Sequence, residues 1–199
     1  MSTAQHPDST LKPLRLYALC DQATLDRLDI SLESFIGICK EKNAEIIQYR
    51  NKEASTETLK KRLIALRKLW DGFLIINDHY ELVPFCDGVH IGQEDLEAID
   101  PDSQKALKAL KAAIGSDKII GLSTHNEAEI EAANRLDLNY VGLGAYRPTG
   151  TKDVDHIIGD NLDAAAAKSV HPVAAIGGVT FEDSFEHVTY HVIGSGLFR

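Results

Sequence analysis

Long apolar runs are missing from this sequence. The longest, such as residues 72–76, are far too short to cross a bilayer, which excludes a membrane-spanning helix. The opening stretch, MSTAQHPDSTLK, lacks the apolar segment of a secretory signal, so residues 1–12 are expected to form a flexible polar leader and the protein to be cytoplasmic, with no membrane partner. Basic charge is scarce as well: 21 Lys and Arg stand against 30 Asp and Glu, a formal net charge of −9. That balance opposes nucleic acid or anionic lipid as a general partner, and any phosphate must be held by a few placed cations. Cysteine is limited to Cys20, Cys39 and Cys86, odd in number, widely spaced and set in apolar stretches. Such a pattern suits reduced core thiols better than a disulfide framework or a zinc site. Internal repeats, Pro-rich linkers and low-complexity tracts are absent too.

What the sequence does contain is alternation. Its 199 residues, 44% hydrophobic and 26% charged, fit one globular domain with a full core. Short β-branched apolar runs at 14–20, 44–50, 72–78, 88–92, 118–124, 140–146, 172–178 and 191–196 read as eight strands. Between them lie stretches of helical period, including 31–42 and 55–70, where Leu59, Leu63, Leu66, Leu69 and Trp70 make one apolar face. A doubly wound open sheet gives the same alternation, but usually with fewer strands; eight right-handed crossovers favour closure. The expected fold is therefore α/β, a (β/α)8 TIM barrel over residues 13–199. Only 181–188 is available between strands seven and eight, so the seventh helix should be shortened, and no eighth helix is expected. Residues 164–167 form a short helix-favouring run of alanine.

In a barrel, the C-terminal strand ends and the loops after them form the reactive face. Strand two ends Gln48-Tyr49-Arg50-Asn51-Lys52, and alternation sets Gln48, Arg50 and Lys52 on one side with Tyr49 and Asn51 on the other. Two cations and an amide suit a multiply charged anion such as pyrophosphate. A solvated strand end, its charges paired to helix carboxylates, fits the segment equally well. Asp78 at the end of strand three and Asp95 after strand four are spaced to share one hard cation such as magnesium, although either could instead cap a helix. Strand five ends Ser123-Thr124-His125-Asn126; His125 in such a place reads first as a surface or supporting residue, and Asn126 as a helix cap. After strand six, Thr149, Gly150, Thr151 and Lys152 are spaced to cup an anion, with a plain surface turn as the other reading. Glycine-rich ends at Gly177-Gly178 and Gly194-Ser195-Gly196 fall where barrels of this kind bind phosphate through backbone N–H groups; tight turns are the alternative.

These segments, QYRNK (48–52), IND (76–78), GVHIGQED (88–95), GLSTH (121–125), PTGTK (148–152), AIGGV (175–179) and IGSG (193–196), together resemble the thiamine phosphate synthase family over almost the whole barrel. The resemblance implies a transferase of thiamine biosynthesis that joins 4-amino-5-hydroxymethyl-2-methylpyrimidine diphosphate to a thiazole phosphate, releasing pyrophosphate. It implies that Gln48, Tyr49, Arg50, Asn51, Lys52, Asn77, Ser123 and Lys152 receive the pyrimidine diphosphate. Thr149, Gly150, Thr151, Gly178, Gly194 and Ser195 would receive the thiazole phosphate, and Asp78 and Asp95 one Mg2+. Arg50, Lys52, Lys152 and Ser123 would carry catalysis. The partners implied are small phosphorylated substrates, with a homo-oligomer left open.

Three departures from the family pattern stand out. The segment between Asp78 and Asp95 is short, the stretch between Gly178 and Gly194 is compressed, and Arg147 stands where an apolar residue is more common, with no role to assign it. Two rival readings follow. A related thiazole tautomerase would use His125 for proton transfer, but it tends to lack the set of Gln48, Asp78 and Asp95. A barrel without catalysis would keep phosphate ligands and lose the need for Asp78, Asp95 and Lys152.

Overall fold

Alternation along each strand divides its side chains between two destinations. In the computed structural model, which describes residues 15–148 and 157–199, the sheet closes on itself as a parallel barrel in the order β1 to β8. The strands are β1 Arg15–Asp21, β2 Ile46–Arg50, β3 Phe73–Asn77, β4 Gly88–Ile91, β5 Ile119–Thr124, β6 Tyr140–Leu143, β7 Val173–Ala175 and β8 Tyr190–Ile193. Tyr17, Ile46, Ile75, Tyr140, Ala174 and Val192 pack on one another inside the barrel. Their neighbours Leu16, Ala18, Ile47, Leu74, Ile76, Ile120 and Val141 belong to the second apolar layer, between strands and helices. Closure comes from β1 against β8, with Leu16 opposite His191 and Ala18 opposite Ile193. That pairing decides between the closed barrel and the open sheet. The expected leader, 1–12, lies outside the described residues.

The cover helices are α1 Gln22–Arg27, α2 Leu32–Glu41, α3 Thr56–Leu69, α4 Gln93–Ile99, α5 Ser103–Ile114, α6 Glu127–Ala133 and α7 Leu162–Ala166. Local chemistry sets their ends. In α3, the Ser55 hydroxyl accepts from the Thr58 amide at 3.3 Å, and Leu59, Leu63 and Leu66 recur on one fully buried stripe. Each of these leucines contributes about 2 kcal/mol of burial. Leu69 is only partly buried, while Trp70 turns in and its indole N–H donates to the Phe73 carbonyl at 3.1 Å, leading the chain into β3. All three cysteines are buried and unpaired, as their apolar settings suggested. No helix among the described residues is long and apolar enough to cross a membrane.

Two sectors are thinner than the alternation implies. Between β3 and β4 the chain makes a 3-10 turn, Tyr80–Phe85, in place of an α-helix; Pro84 inside it has no N–H to give. Between β7 and β8 the shortening goes further than expected, because residues 176–189 contain no helix at all. Val179, Val188, Phe181 and Phe185 cover the barrel wall there instead, and His191 lies edge to face with Phe185 at 5.3 Å. β6 also leaves the ladder at Leu143, short of the expected 146, although Tyr146 and Arg147 still donate backbone hydrogen bonds to Ile176 and Gly177.

Candidate active site

The C-terminal ends of β1, β2, β3 and β5 deliver polar side chains to one arc of the rim. On β2, Gln48 and Arg50 face the barrel mouth, and the Gln48 amide donates to the Asn77 side-chain oxygen at 3.1 Å. The Tyr49 side chain is fully buried in the helix layer, where its hydroxyl donates to Gln22 at 3.0 Å, so it is directed away from the mouth and only its backbone lies in the strand beneath the rim. Alternation explains the difference, since Tyr49 has the opposite parity to Gln48 and Arg50. Asn51 has left the strand, and its side-chain oxygen accepts from the Glu53 amide at 3.2 Å, closing the turn that carries exposed Lys52.

Arg50 is not free to wander. Its guanidinium donates to Asp21 Oδ2 at 2.5 Å, with side-chain exposures of 14% for Arg50 and 5% for Asp21. Asp21, the last residue of β1, uses its other oxygen to cap α1, accepting from the Thr24 amide at 3.0 Å and the Thr24 hydroxyl at 2.9 Å. One buried carboxylate therefore fixes both a helix start and the direction of the rim cation.

Beside the cations, after the next two strands, stand two carboxylates. Asp78 follows β3 with φ of +64°, in the left-handed region that Asp tolerates better than most residues. Its carboxylate accepts from the neighbouring Asn77 amide, and its own N–H donates to the His90 carbonyl at 2.8 Å. Burial pushes the Asp78 carboxyl above its ordinary value, and the negative charge of Asp95 pushes it the same way; His79, Lys52 and Arg50 pull it back. Asp95 lies in the first turn of α4, where Gly92 takes the capping position. A helix cap is thus not the job of Asp95. Among the described residues no group of three or more His, Cys, Asp or Glu forms a metal cage. Asp78, whose ionisation burial and the Asp95 charge both oppose, is nevertheless suited together with Asp95 to a hard cation that takes its remaining ligands from phosphate and water.

On β5, Ser123 faces inward and its hydroxyl lies 2.9 Å from His90 Nε2 on β4, while the Ser123 carbonyl accepts from Gln93 at 2.7 Å. His125 points elsewhere. Its Nδ1 lies 3.0 Å from Glu129, which also receives the His125 backbone N–H and the Asn126 side-chain amide, all within the first turn of α6. Asn126 caps that helix, accepting from the Glu129 amide at 3.0 Å. The imidazole that the tautomerase reading requires is tied to a helix start.

The far side of the rim is backbone. Gly177 and Gly178 have φ of +85° and +70°, a conformation open to glycine without strain. Gly194 and Ser195 lead from β8 into a 3-10 turn, Ser195–Phe198. Thr149, Gly150, Thr151 and Lys152 lie outside the described residues. Arg147, which had no assigned role, joins the two loops on this side. It makes a two-pronged contact with Asp183 at 2.8 and 2.6 Å, donates to the Gly178 carbonyl at 3.1 Å, and lies 4.2 Å over the Tyr146 ring. Asp183 in turn receives the Thr180 amide at 2.8 Å.

Sequence reading missed Asp21 and His90. The rule that strand ends carry chemistry applied to β1 as well as to β2, and would have singled out Asp21. His90 alternates with Gly88 on the inward face of β4, a polar ring at a position where a barrel interior is otherwise apolar.

A closed parallel barrel with cations, amides and paired carboxylates on one arc of its C-terminal rim, and glycine-rich backbone on another, defines the class: a phosphate-handling (β/α)8 barrel. The profile of the family described as thiamine monophosphate synthase matches residues 16–195, and the chain belongs to that family. It is 32% identical over 183 residues to the thiamine-phosphate synthase of Lawsonia intracellularis, covering 88% of this chain and 79% of that protein. It is 34% identical over 177 residues to the thiamine-phosphate synthase of Dictyoglomus turgidum, covering 85% and 74%. Among solved structures, the thiamine phosphate pyrophosphorylase from Pyrococcus furiosus superposes with a TM-score of 0.67 at 28% identity, over 84% of this chain and 76% of that one. These relatives belong to a transferase family whose substrates are small phosphorylated molecules.

Proposed function

We propose that this chain is a thiamine-phosphate synthase, joining 4-amino-5-hydroxymethyl-2-methylpyrimidine diphosphate to 4-methyl-5-(2-phosphoethyl)thiazole, or its carboxylated form, with release of pyrophosphate. The observation that carries this reading is the pairing of a held cation, Arg50 on Asp21, with the carboxylates Asp78 and Asp95 across one rim. Gln48, Asn77 and Ser123, with Lys52 and Lys152, complete the set proposed for the pyrimidine diphosphate. Thr149, Gly150, Thr151, Gly178, Gly194 and Ser195 are the set proposed for the thiazole phosphate.

The chemistry asks for charge neutralisation. The bond between the pyrimidine methylene carbon and the diphosphate oxygen breaks, its electron pair leaving with pyrophosphate; the thiazole nitrogen then supplies the pair for the new C–N bond. Negative charge grows on the leaving oxygen, and donors fixed in advance lower that barrier more than donors that must reorient. Arg50 meets this condition because Asp21 holds it. Asp78 and Asp95 would hold Mg2+, which when bound neutralises the leaving diphosphate. Bringing two substrates to one mouth adds the orientation term. The buried, unpaired cysteines suit a reducing, cytoplasmic setting.

The test is incubation of the purified protein with both substrates and Mg2+, followed for thiamine phosphate and pyrophosphate. Both products in equal amounts are expected. Folded protein that forms neither, or that only isomerises the thiazole, would overturn the proposal.

A further inference from the structure

A polar chain runs through the barrel interior to the rim. The Tyr17 hydroxyl on β1 lies 2.9 Å from the Tyr140 hydroxyl on β6, which lies 2.9 Å from His90 Nδ1 on β4; His90 Nε2 lies 2.9 Å from the Ser123 hydroxyl on β5. The His90 and Tyr140 rings stack at 5.5 Å. Neighbouring glycines leave room for both rings. A Cβ at Gly121 would fall 2.4 Å from the Tyr140 hydroxyl oxygen, and one at Gly142 would fall 2.8 Å from His90 Cε1. Tyr17 and Tyr140 are buried, at 1% and 3% exposure, among Ile46, Ile75, Ala174 and Val192.

Counting protons fixes the direction of this chain. Among the described residues, Tyr140 is the sole hydrogen-bond partner of the Tyr17 hydroxyl. A buried hydroxyl proton with no acceptor is costly, so Tyr17 donates to Tyr140. Tyr140 has one proton, and with Tyr17 already donating to it, that proton goes to His90 Nδ1. The imidazole then carries its own proton on Nε2, which donates to the Ser123 oxygen. Burial raises both phenols above their ordinary value, so each keeps the proton this count requires.

We infer that His90 is a positioning residue: the chain Tyr17, Tyr140, His90 holds it as the Nε2–H tautomer, and that N–H leaves the Ser123 hydroxyl proton free to be donated to an anionic oxygen of the substrate. The reverse orientation would make Ser123 donate inward to His90 and present only lone pairs to a phosphate, which repels them. The role given to Ser123 rests on the proposed synthase reading, whereas the tautomer does not.

The first measurement uses the ligand-free protein labelled with 15N at histidine. Two-bond couplings between ring protons and nitrogens read the tautomer, and the signal of His90 is identified by its loss in His90→Gln. A single Nε2–H tautomer at neutral pH is expected; an Nδ1–H tautomer or an imidazolium overturns the inference, whatever reaction the protein performs. The second measurement is a double-mutant cycle on kcat/KM with Tyr140→Phe and Ser123→Ala. Ser123→Ala should lower kcat/KM roughly ten- to a hundredfold, the worth of one hydrogen bond to a charged group. Tyr140→Phe should lower it less, give mixed His90 tautomers, and have no further effect once Ser123 is alanine. Losses that multiply in the double variant would mean Tyr140 acts only through packing, and would overturn the coupling. Should Tyr140→Phe fail to fold, the wild-type tautomer still decides the matter. A wild-type protein without synthase activity but with the Nε2–H tautomer would sink the synthase reading and leave the chain standing.

Discussion

Asp21 makes two kinds of contact, and two substitutions separate them. Its Oδ2 pairs with Arg50 at 2.5 Å while its Oδ1 caps α1 through Thr24. Asp21→Asn keeps an oxygen for the cap and removes the charge; Asp21→Ala removes both. Breaking a buried ion pair from one side costs about 3–5 kcal/mol. Arg50 retains some access to water at 14% exposure, so about 2–3 kcal/mol is the expectation for Asp21→Asn. The cap adds about 1 kcal/mol, so Asp21→Ala should be less stable than Asp21→Asn by that amount. With a urea dependence of about 2 kcal/mol per molar, the unfolding midpoint should fall by about 1 M in Asp21→Asn and by about 1.5 M in Asp21→Ala. Pyrophosphate with Mg2+ offers the released guanidinium a new partner, so it should raise the midpoint of Asp21→Asn more than that of the wild type. Even so, kcat should fall, because Arg50 must now be oriented during the reaction instead of beforehand. Asp21→Asn with wild-type stability and wild-type kcat would refute the claim that this carboxylate fixes Arg50.

Three further outcomes are expected. Asp78→Asn should make the free protein more stable in chelator at neutral pH, since burial and Asp95 both oppose ionisation there; it should also abolish product formation and the thermal stabilisation that Mg2+ with pyrophosphate gives the wild type. His191 is buried, its Nδ1 has no hydrogen-bond partner among the described residues, and burial lowers its pKa below the ordinary value of 6.5. A base with a lowered folded value binds fewer protons folded than unfolded, so its contribution is full above pH 6.5 and is lost as pH falls through the folded value. Thermal unfolding of the wild type should therefore drop more between pH 7.5 and lower pH than that of His191→Phe, and parallel curves would refute this. Arg147→Ala frees the loops after β6 and β7 from one another; KM for the thiazole phosphate should rise while KM for the pyrimidine diphosphate holds, as read by initial rates at saturating co-substrate.

The parts of the fold that were legible in the sequence are those where local pattern and burial agree. Leu59, Leu63 and Leu66 announce the buried stripe of α3 because its period is written within a few residues, and the segments read as 31–42 and 55–70 begin at the serines that cap α2 and α3. The ends of β6 and β7 were harder to place. There the chains stay side by side but leave the ladder near glycines at positive φ, a change that depends on the opposite strand. Residues 181–188 carry Phe181, Phe185 and Val188, apolar enough to suggest a helix, yet they reach the barrel wall directly without one. At the site, the parity of β2 was readable and so was the direction of Gln48 and Arg50. What parity could not supply was the partner on another strand: Asp21 for Arg50, and Tyr140 for His90, are distant in sequence and meet only when β1 lies beside β2 and when β4 and β6 flank β5.

Those two missed contacts have the same physical form. In each, a group at or just beneath the rim is held from below by a buried partner: a carboxylate beneath Arg50, which would itself meet negative charge, and a phenol beneath His90, which acts through Ser123. A rim supported only by solvent would have to reorganise as charge moves to the leaving oxygen, and that reorganisation is part of the barrier. Burying the supports fixes the donors before substrate arrives, but it puts polar atoms in a core that tolerates them only when every proton has an acceptor. The Tyr17 hydroxyl meets that condition for the chain beneath His90, as Thr24 does for Asp21 by occupying the carboxylate oxygen that Arg50 leaves over. The interior tyrosines are therefore part of the site's electrostatics although neither reaches the surface.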